Sequence, residues 1–249
     1  MKTSLISVTF RKKSVEEIVA LAKNAGLDAI EWGGDVHVPP TDEAAIAKAK
    51  ALCDENGLEI SAYGSYYRAT NEEDFAPVLQ AALKLKTPIL RIWAGKGMAH
   101  SSQCSPEDRA IFTANIKKAV QMAEGTGIIV ATEFHPNTLT DDIDSALQLL
   151  ADVPGLYTYW QPRHNQSVEE CISDIRRLGK KCVNVHIFQR DAENKKVALV
   201  DGKDRWAAYL PEVKAVTDCQ SVGLEFVMGD TDEQFYADAE IVKELVKGL

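Results

Sequence analysis

The chain is short of several things, and each shortage removes a class of protein. Its five cysteines (53, 104, 171, 182 and 219) are odd in number and form no Cys-x-x-Cys pair. They argue against a disulfide framework and read as reduced intracellular thiols in core or helix positions. No apolar run approaches the ~18 residues of a membrane span, so no membrane partner is expected. The opening Met1-Lys2-Thr3-Ser4-Leu5-Ile6 lacks the long apolar stretch of a secretory leader, and a cytoplasmic protein is expected. Basic side chains are outnumbered, 28 Lys and Arg against 37 Asp and Glu, for a net charge of −9. A basic face for nucleic acid is therefore not expected. Linkers, repeats and low-complexity stretches are also missing. What remains is a chain of 249 residues, 45% apolar, the usual size of one α/β barrel domain covering residues 1–249.

Short apolar runs alternate with capped helical segments along the whole chain. The runs cover residues 5–10, 27–32, 58–63, 89–94, 128–134, 156–160, 182–188 and 222–228. Between them lie helix starts: the capping boxes Ser14-Val-Glu-Glu17 and Ser167-Val-Glu-Glu170, Thr41-Asp42-Glu43, Asn71-Glu-Glu-Asp74, Ser105-Pro106, a start near Asp141, another near Asp204, and Thr231. Eight strand–helix units predict a closed (β/α)8 TIM barrel. The competing fold, an open doubly wound sheet, wants a glycine-rich phosphate fingerprint after an early strand, and none is present.

In such a barrel the active site lies at the C-terminal ends of the strands, so polar residues there are informative. Glu133 and His135 end run five, two apart and hence on one side. In run seven, Val183, Val185 and Ile187 form one apolar face, which leaves Asn184 and His186 pointing inward. In run eight, Val222, Leu224 and Phe226 share the helix-packing face, which points Glu225 inward. An unpaired ionised carboxylate in a buried strand is costly. Glu133, His186 and Glu225 together suit one divalent cation: Mn²⁺, Mg²⁺, Co²⁺ or Zn²⁺. The bland alternative is a buried ion-pair network with Arg91, without metal.

These residues resemble the xylose-isomerase-like barrels of the sugar phosphate isomerase/epimerase type. The likeness rests on Glu31-Trp32, Arg91-Ile-Trp-Ala-Gly95, Glu133, His186-Ile-Phe, Gly202 with Trp206 and Tyr209, and Glu225. It implies a metal held by Glu133, His186 and Glu225. The fourth ligand, an Asp of an Asp-x-x-His motif in that family, is replaced here by Gln161-Pro-Arg-His164. An amide oxygen binds a hard cation more weakly than a carboxylate does, and His164 is the alternative ligand. The implied chemistry is proton transfer beside a carbonyl through a metal-stabilised enediolate, with Glu133 and Glu225 as acid–base partners.

Three outcomes stay open: isomerisation or epimerisation of a sugar, which leads; dehydration by a lyase acting on a keto-sugar or keto-inositol; and sugar binding without turnover. A related DNA-repair endonuclease needs a histidine-rich three-zinc cluster, against which five histidines and the acidic balance both argue. Further substrate-binding candidates are Glu31, Trp32, His37, Arg91, Trp93, His135, Trp160, His164 and Arg190. The tryptophans would offer a ring face to a sugar, and Arg190 would meet an anionic group. The Gly95-Lys96-Gly97 loop alone does not make a phosphate site, so an unphosphorylated sugar or polyol is expected. The oligomeric state is open, a homo-oligomer included.

Overall fold

The strands are buried at nearly every position, which is why they read as continuous apolar runs rather than alternating ones. The computed structural model describes residues 1–249. Its strands are β1 (Lys2–Ile6), β2 (Ala29–Gly33), β3 (Glu59–Gly64), β4 (Ile89–Ile92), β5 (Ile129–Thr132), β6 (Tyr157–Trp160), β7 (Cys182–Ile187) and β8 (Ser221–Leu224). Each pairs in parallel with the next, and β8 closes on β1 to complete the barrel. The helices are α1 (Val15–Asn24), α2 (Glu43–Asn56), α3 (Ala76–Leu85), α4 (Pro106–Ala123), α5 (Ile143–Asp152), α6 (Val168–Leu178), α7 (Lys203–Val216) and α8 (Asp232–Lys247). No helix is long and apolar enough to cross a membrane.

The helix starts follow their caps. Ser14 with Glu17, and Ser167 with Glu170, form reciprocal capping boxes, while Asp42, Ser105, Asp142 and Thr231 each accept a first-turn amide. Two segments depart from expectation. Ser7–Phe10 is a 3-10 turn rather than the end of β1. Asn71–Asp74 does not open α3; Glu73 instead accepts from the amides of Arg68 and Thr70 and ties that loop together.

Two cores result. The larger lies between strands and helices and includes Trp32, Trp160, Val185, Ile187, Val222 and Leu224. The smaller, Ala62, Ile89, Ala131, Tyr159 and Val183, plugs the barrel. Ile89 and Ala131 precede Arg91 and Glu133 by two residues, so they share the inward face. Val183 corrects the expected pattern. A register irregularity between Thr158 and Tyr159 pairs Thr158 with Cys182 but Tyr159 with Asn184. The extra residue turns Val183 into the plug, away from Val185 and Ile187. Above this apolar plug sits a charged layer.

Run eight is also shorter than expected. β8 ends at Leu224, and the Glu225 amide still bonds the Ile187 carbonyl at 3.0 Å. Phe226 then adopts a left-handed conformation (φ 57°). Its ring therefore does not face the helices. It packs edge-on against Phe188, 5.4 Å between centroids, at the top of the barrel.

Candidate active site

The charged layer comprises Glu31, Arg91, Glu133, His186 and Glu225, none more than 5% exposed. They lie between the middle of a strand (Glu31) and the residue just past its end (Glu133, Glu225), on the inward face. Gly64 makes room for it: a Cβ there would lie 2.9 Å from Arg91 Nη2 and 3.0 Å from Glu31 Oε1.

His186 is the centre. Its Nδ1 lies 3.5 Å from Glu133 Oε1 and 3.4 Å from Glu225 Oε2. Its Nε2 lies 3.3 Å from Glu31 Oε2, which also accepts from Asn184 Nδ2 at 3.1 Å. Asn184 is held in turn by Ser221 Oγ, which donates to its Oδ1 at 2.9 Å. Glu31 thus fixes the ring and claims Nε2, leaving Nδ1 to face two carboxylates. Such a carboxylate–imidazole chain is the usual backing of a metal-binding histidine.

Arg91 breaks the symmetry between the two carboxylates. Its Nε lies 3.0 Å from Glu133 Oε2, a charge contact too bent to count as a hydrogen bond. Its Nη1 donates to the Ser65 carbonyl at 2.9 Å. Glu225 has no cation but His186 within 4.0 Å. Burial alone would raise the Glu133 carboxyl, but Arg91 and His186 overcome it and hold it at about 2. Burial raises Glu225, and His186 only opposes this. Burial would lower His186, yet Glu31, Glu225 and Glu133 hold it protonated well above its ordinary range.

These residues fit a divalent cation. Ligand atoms of Glu133, His186 and Glu225 lie within 4.8 Å of one another, all buried. His186 Nδ1, Glu225 Oε2 and Gln161 Oε1 are buried with no hydrogen-bond partner, which polar atoms rarely tolerate. Gln161 Nε2 donates to the Phe134 carbonyl at 2.6 Å, so its amide oxygen is the free end. Two consequences are measurable. With Glu31, Glu225 and Glu133 around it, His186 favours its protonated form when no cation is bound. Metal binding near pH 7 should therefore release on the order of one proton, and affinity should rise with pH. Calorimetry in buffers of different ionisation enthalpy checks this, and zero release would contradict it. Gln161→Asp should tighten the cation roughly tenfold or more by adding a charged ligand; an unchanged dissociation constant would place residue 161 outside the coordination sphere.

The remaining sequence candidates separate into two groups. Gln161, His135, His164 and Arg190 line a cavity of about 570 Å³ bounded by the loops after β5, β6 and β7 and by the start of α7. Trp93 shares the inward face of Arg91; its ring lies 3.9 Å from that of His135, tilted by 41°, and 4.2 Å from the Arg68 guanidinium. The others point away. Trp32 and Trp160 are fully buried beneath the helices, Trp160 against Trp206 and Tyr209. Both follow an inward residue, Glu31 and Tyr159, and so face outward. Buried His37 ties its loop to the Lys13 carbonyl at 3.1 Å, and Asp35 pairs with Arg11. Lys96 reaches only exposed Glu72, at 3.7 Å. The cavity also gathers Arg163, Arg205 and Asp141, which sequence reasoning did not select: nothing local shows which loops converge.

The comparisons agree with this architecture. The Xylose isomerase-like TIM barrel family model matches residues 19–245. A curated 3-dehydroshikimate dehydratase of Bacillus anthracis is 30% identical over 165 residues, 61% of this chain; the match spans 58% of that protein's length. The crystal structure of the probable 3-DHS dehydratase AsbF of Bacillus anthracis superposes with a TM-score of 0.80 at 22% identity, covering 98% of this chain and 99% of that one. D-allulose 3-epimerase from Methylomonas sp. gives 0.71 at 14% identity, covering 98% of each chain. At such identities the two structures speak for the fold alone. With the family match running through every strand but the first, the chain belongs to the xylose isomerase-like TIM barrel family.

Proposed function

We propose that this protein is a divalent-metal-dependent lyase that removes water from a hydroxy ketone of the 3-dehydroshikimate type, with Glu225 as the group that moves the proton. The observation that carries the reading is that Arg91 pairs with Glu133 and not with Glu225. Epimerisation needs two groups on opposite faces of the substrate, each changing protonation in a cycle. Arg91 keeps Glu133 an anion and so opposes that role. Elimination needs only one shuttle.

A bound cation at Glu133, Gln161, His186 and Glu225 supplies Lewis acidity that lowers the cost of charge developing on the carbonyl oxygen. The protein groups do the rest. Glu225 accepts the proton on the carbon beside the carbonyl. A carbon–carbon double bond forms as the neighbouring C–O bond breaks, and the proton on Glu225 leaves with the hydroxyl as water. Glu31 keeps His186 oriented throughout, and Glu133 stays ionised against Arg91. The 30% identity to a 3-dehydroshikimate dehydratase supports this choice.

Sugar isomerisation is the second reading, because Glu225 free of Arg91 serves it as well. It too needs one shuttle, returning the proton to the adjacent carbon. Chromatography coupled to mass spectrometry, after incubation of metal-loaded protein with 3-dehydroshikimate and with ketohexoses, separates the two readings, since sugar isomers share one mass. Loss of one water from the former is expected. Conversion of a ketohexose to an aldohexose without any water loss from 3-dehydroshikimate would replace the lyase reading with the isomerase one.

A further inference from the structure

We propose that Arg190 and Arg205 form an anion subsite in the cavity beside the Glu133–His186–Glu225 cluster, so that the substrate bears a carboxylate or phosphate group away from its carbonyl. The assignment rests on the reading of that cluster as the reacting end. It changes the expectation of a neutral sugar, because two of the three arginines on the cavity wall lack a carboxylate partner, although Asp141 and Asp191 also line it.

Both guanidiniums are immobilised by neutral partners. Arg205 donates from Nε to Tyr209 Oη at 3.0 Å and from Nη2 to the Gln166 carbonyl at 2.6 Å. Arg190 donates from Nη1 to the Asn194 carbonyl at 2.9 Å, and its guanidinium lies 4.5 Å from the Phe226 ring centre and 5.7 Å from that of Phe188. Neither has a carboxylate within 4.0 Å. Asp191, the acid nearest in sequence to Arg190, is turned into its own loop, where it accepts from the amides of Glu193 and Lys195 at 2.9 Å each. Arg163, in the same cavity, shows the contrast: Asp142 and Asp174 neutralise it at 3.0 and 3.1 Å.

Two features of the wall suit an anion. Arg205 stands in the first turn of α7, where aligned peptide dipoles already make the potential positive and a cation destabilises the helix. Phe226 holds a left-handed backbone, costly for a non-glycine residue, and that turn places its ring under Arg190. An anion in the cavity relieves the first and uses the second. Each guanidinium keeps N–H groups free, and a planar fork suits the paired oxygens of a carboxylate or phosphate.

Calorimetric titration of the metal-loaded protein tests this with three probes: quinate as a cyclic polyhydroxy carboxylate, glucose 6-phosphate, and neutral D-fructose. At least one anionic probe should bind about tenfold or more tightly than fructose. Arg190→Gln and Arg205→Gln should each weaken it about tenfold or more, the worth of one charge-assisted hydrogen bond. Fructose affinity, melting temperature and metal affinity should hold, and Arg205→Lys should retain part of the binding. The tighter anion tells carboxylate from phosphate. Repeating the titration after chelation separates the two readings. Anion binding that persists there and depends on the arginines supports the subsite whatever the fate of the metal cluster. Fructose binding as tightly as both anions, arginine variants that bind the anion unchanged, or no measurable anion binding would overturn it.

Discussion

Glu225→Gln is expected to cut turnover by roughly 10²–10⁴-fold, the usual worth of a positioned acid–base group. The amide has the shape of the carboxyl but cannot accept a proton. Stability should hold or rise, because Glu225 is a buried acid whose one charged contact is His186, at 3.4 Å. Kinetics with whichever hydroxy ketone proves to be the substrate, alongside a thermal melt, tests both halves of the expectation. Metal affinity must be measured in the same variant, since Glu225 is also a ligand candidate, and turnover is compared at saturating metal. Turnover within about tenfold of the parent would remove Glu225 from the role of proton carrier.

Arg91→Met should produce the largest stability loss, about 3–5 kcal/mol in chelator-treated protein, because it strands the buried Glu133 charge. For a chain of this length that is a fall in melting temperature of about 10 °C. The pH dependence has a definite sign. Glu133 titrates at about 2 in the folded protein, below its ordinary value, so its contribution is present above the unfolded value and is lost as pH falls toward 2. Without Arg91 that contribution disappears. The gap between variant and parent should therefore be widest near neutral pH and narrow on acidification. Adding Glu133→Gln to Arg91→Met should recover most of the loss, since an amide needs no counter-charge. Urea melts of both variants at neutral and acidic pH decide the matter. A double variant as unstable as the single one would mean that Arg91 acts through Ser65 or Glu31 instead.

The eight alternations, the capped helix starts other than Asn71–Asp74, and the inward Glu133, His186 and Glu225 were determined by the sequence alone. The cause is local. A capping box satisfies its own helix's amides, and a polar residue in an apolar strand is visible wherever the strand lands. The tertiary structure decided the rest. Trp32 and Trp160, expected to offer their rings to the substrate, face the helices instead, because Glu31 and Tyr159 take the inward positions beside them. Val183 left its expected face because β6 and β7 lose register by one residue, and a period-of-two pattern reports a face only while the pairing runs unbroken. Phe226 left the helix side because β8 stops at Leu224 and the backbone turns left-handed. Arg91 chose Glu133 over Glu225, and Arg205 joined Arg190 in one cavity, because barrel closure brings together segments far apart in the chain. Such pairings depend on distance in space, which a one-dimensional pattern of polar and apolar residues does not carry.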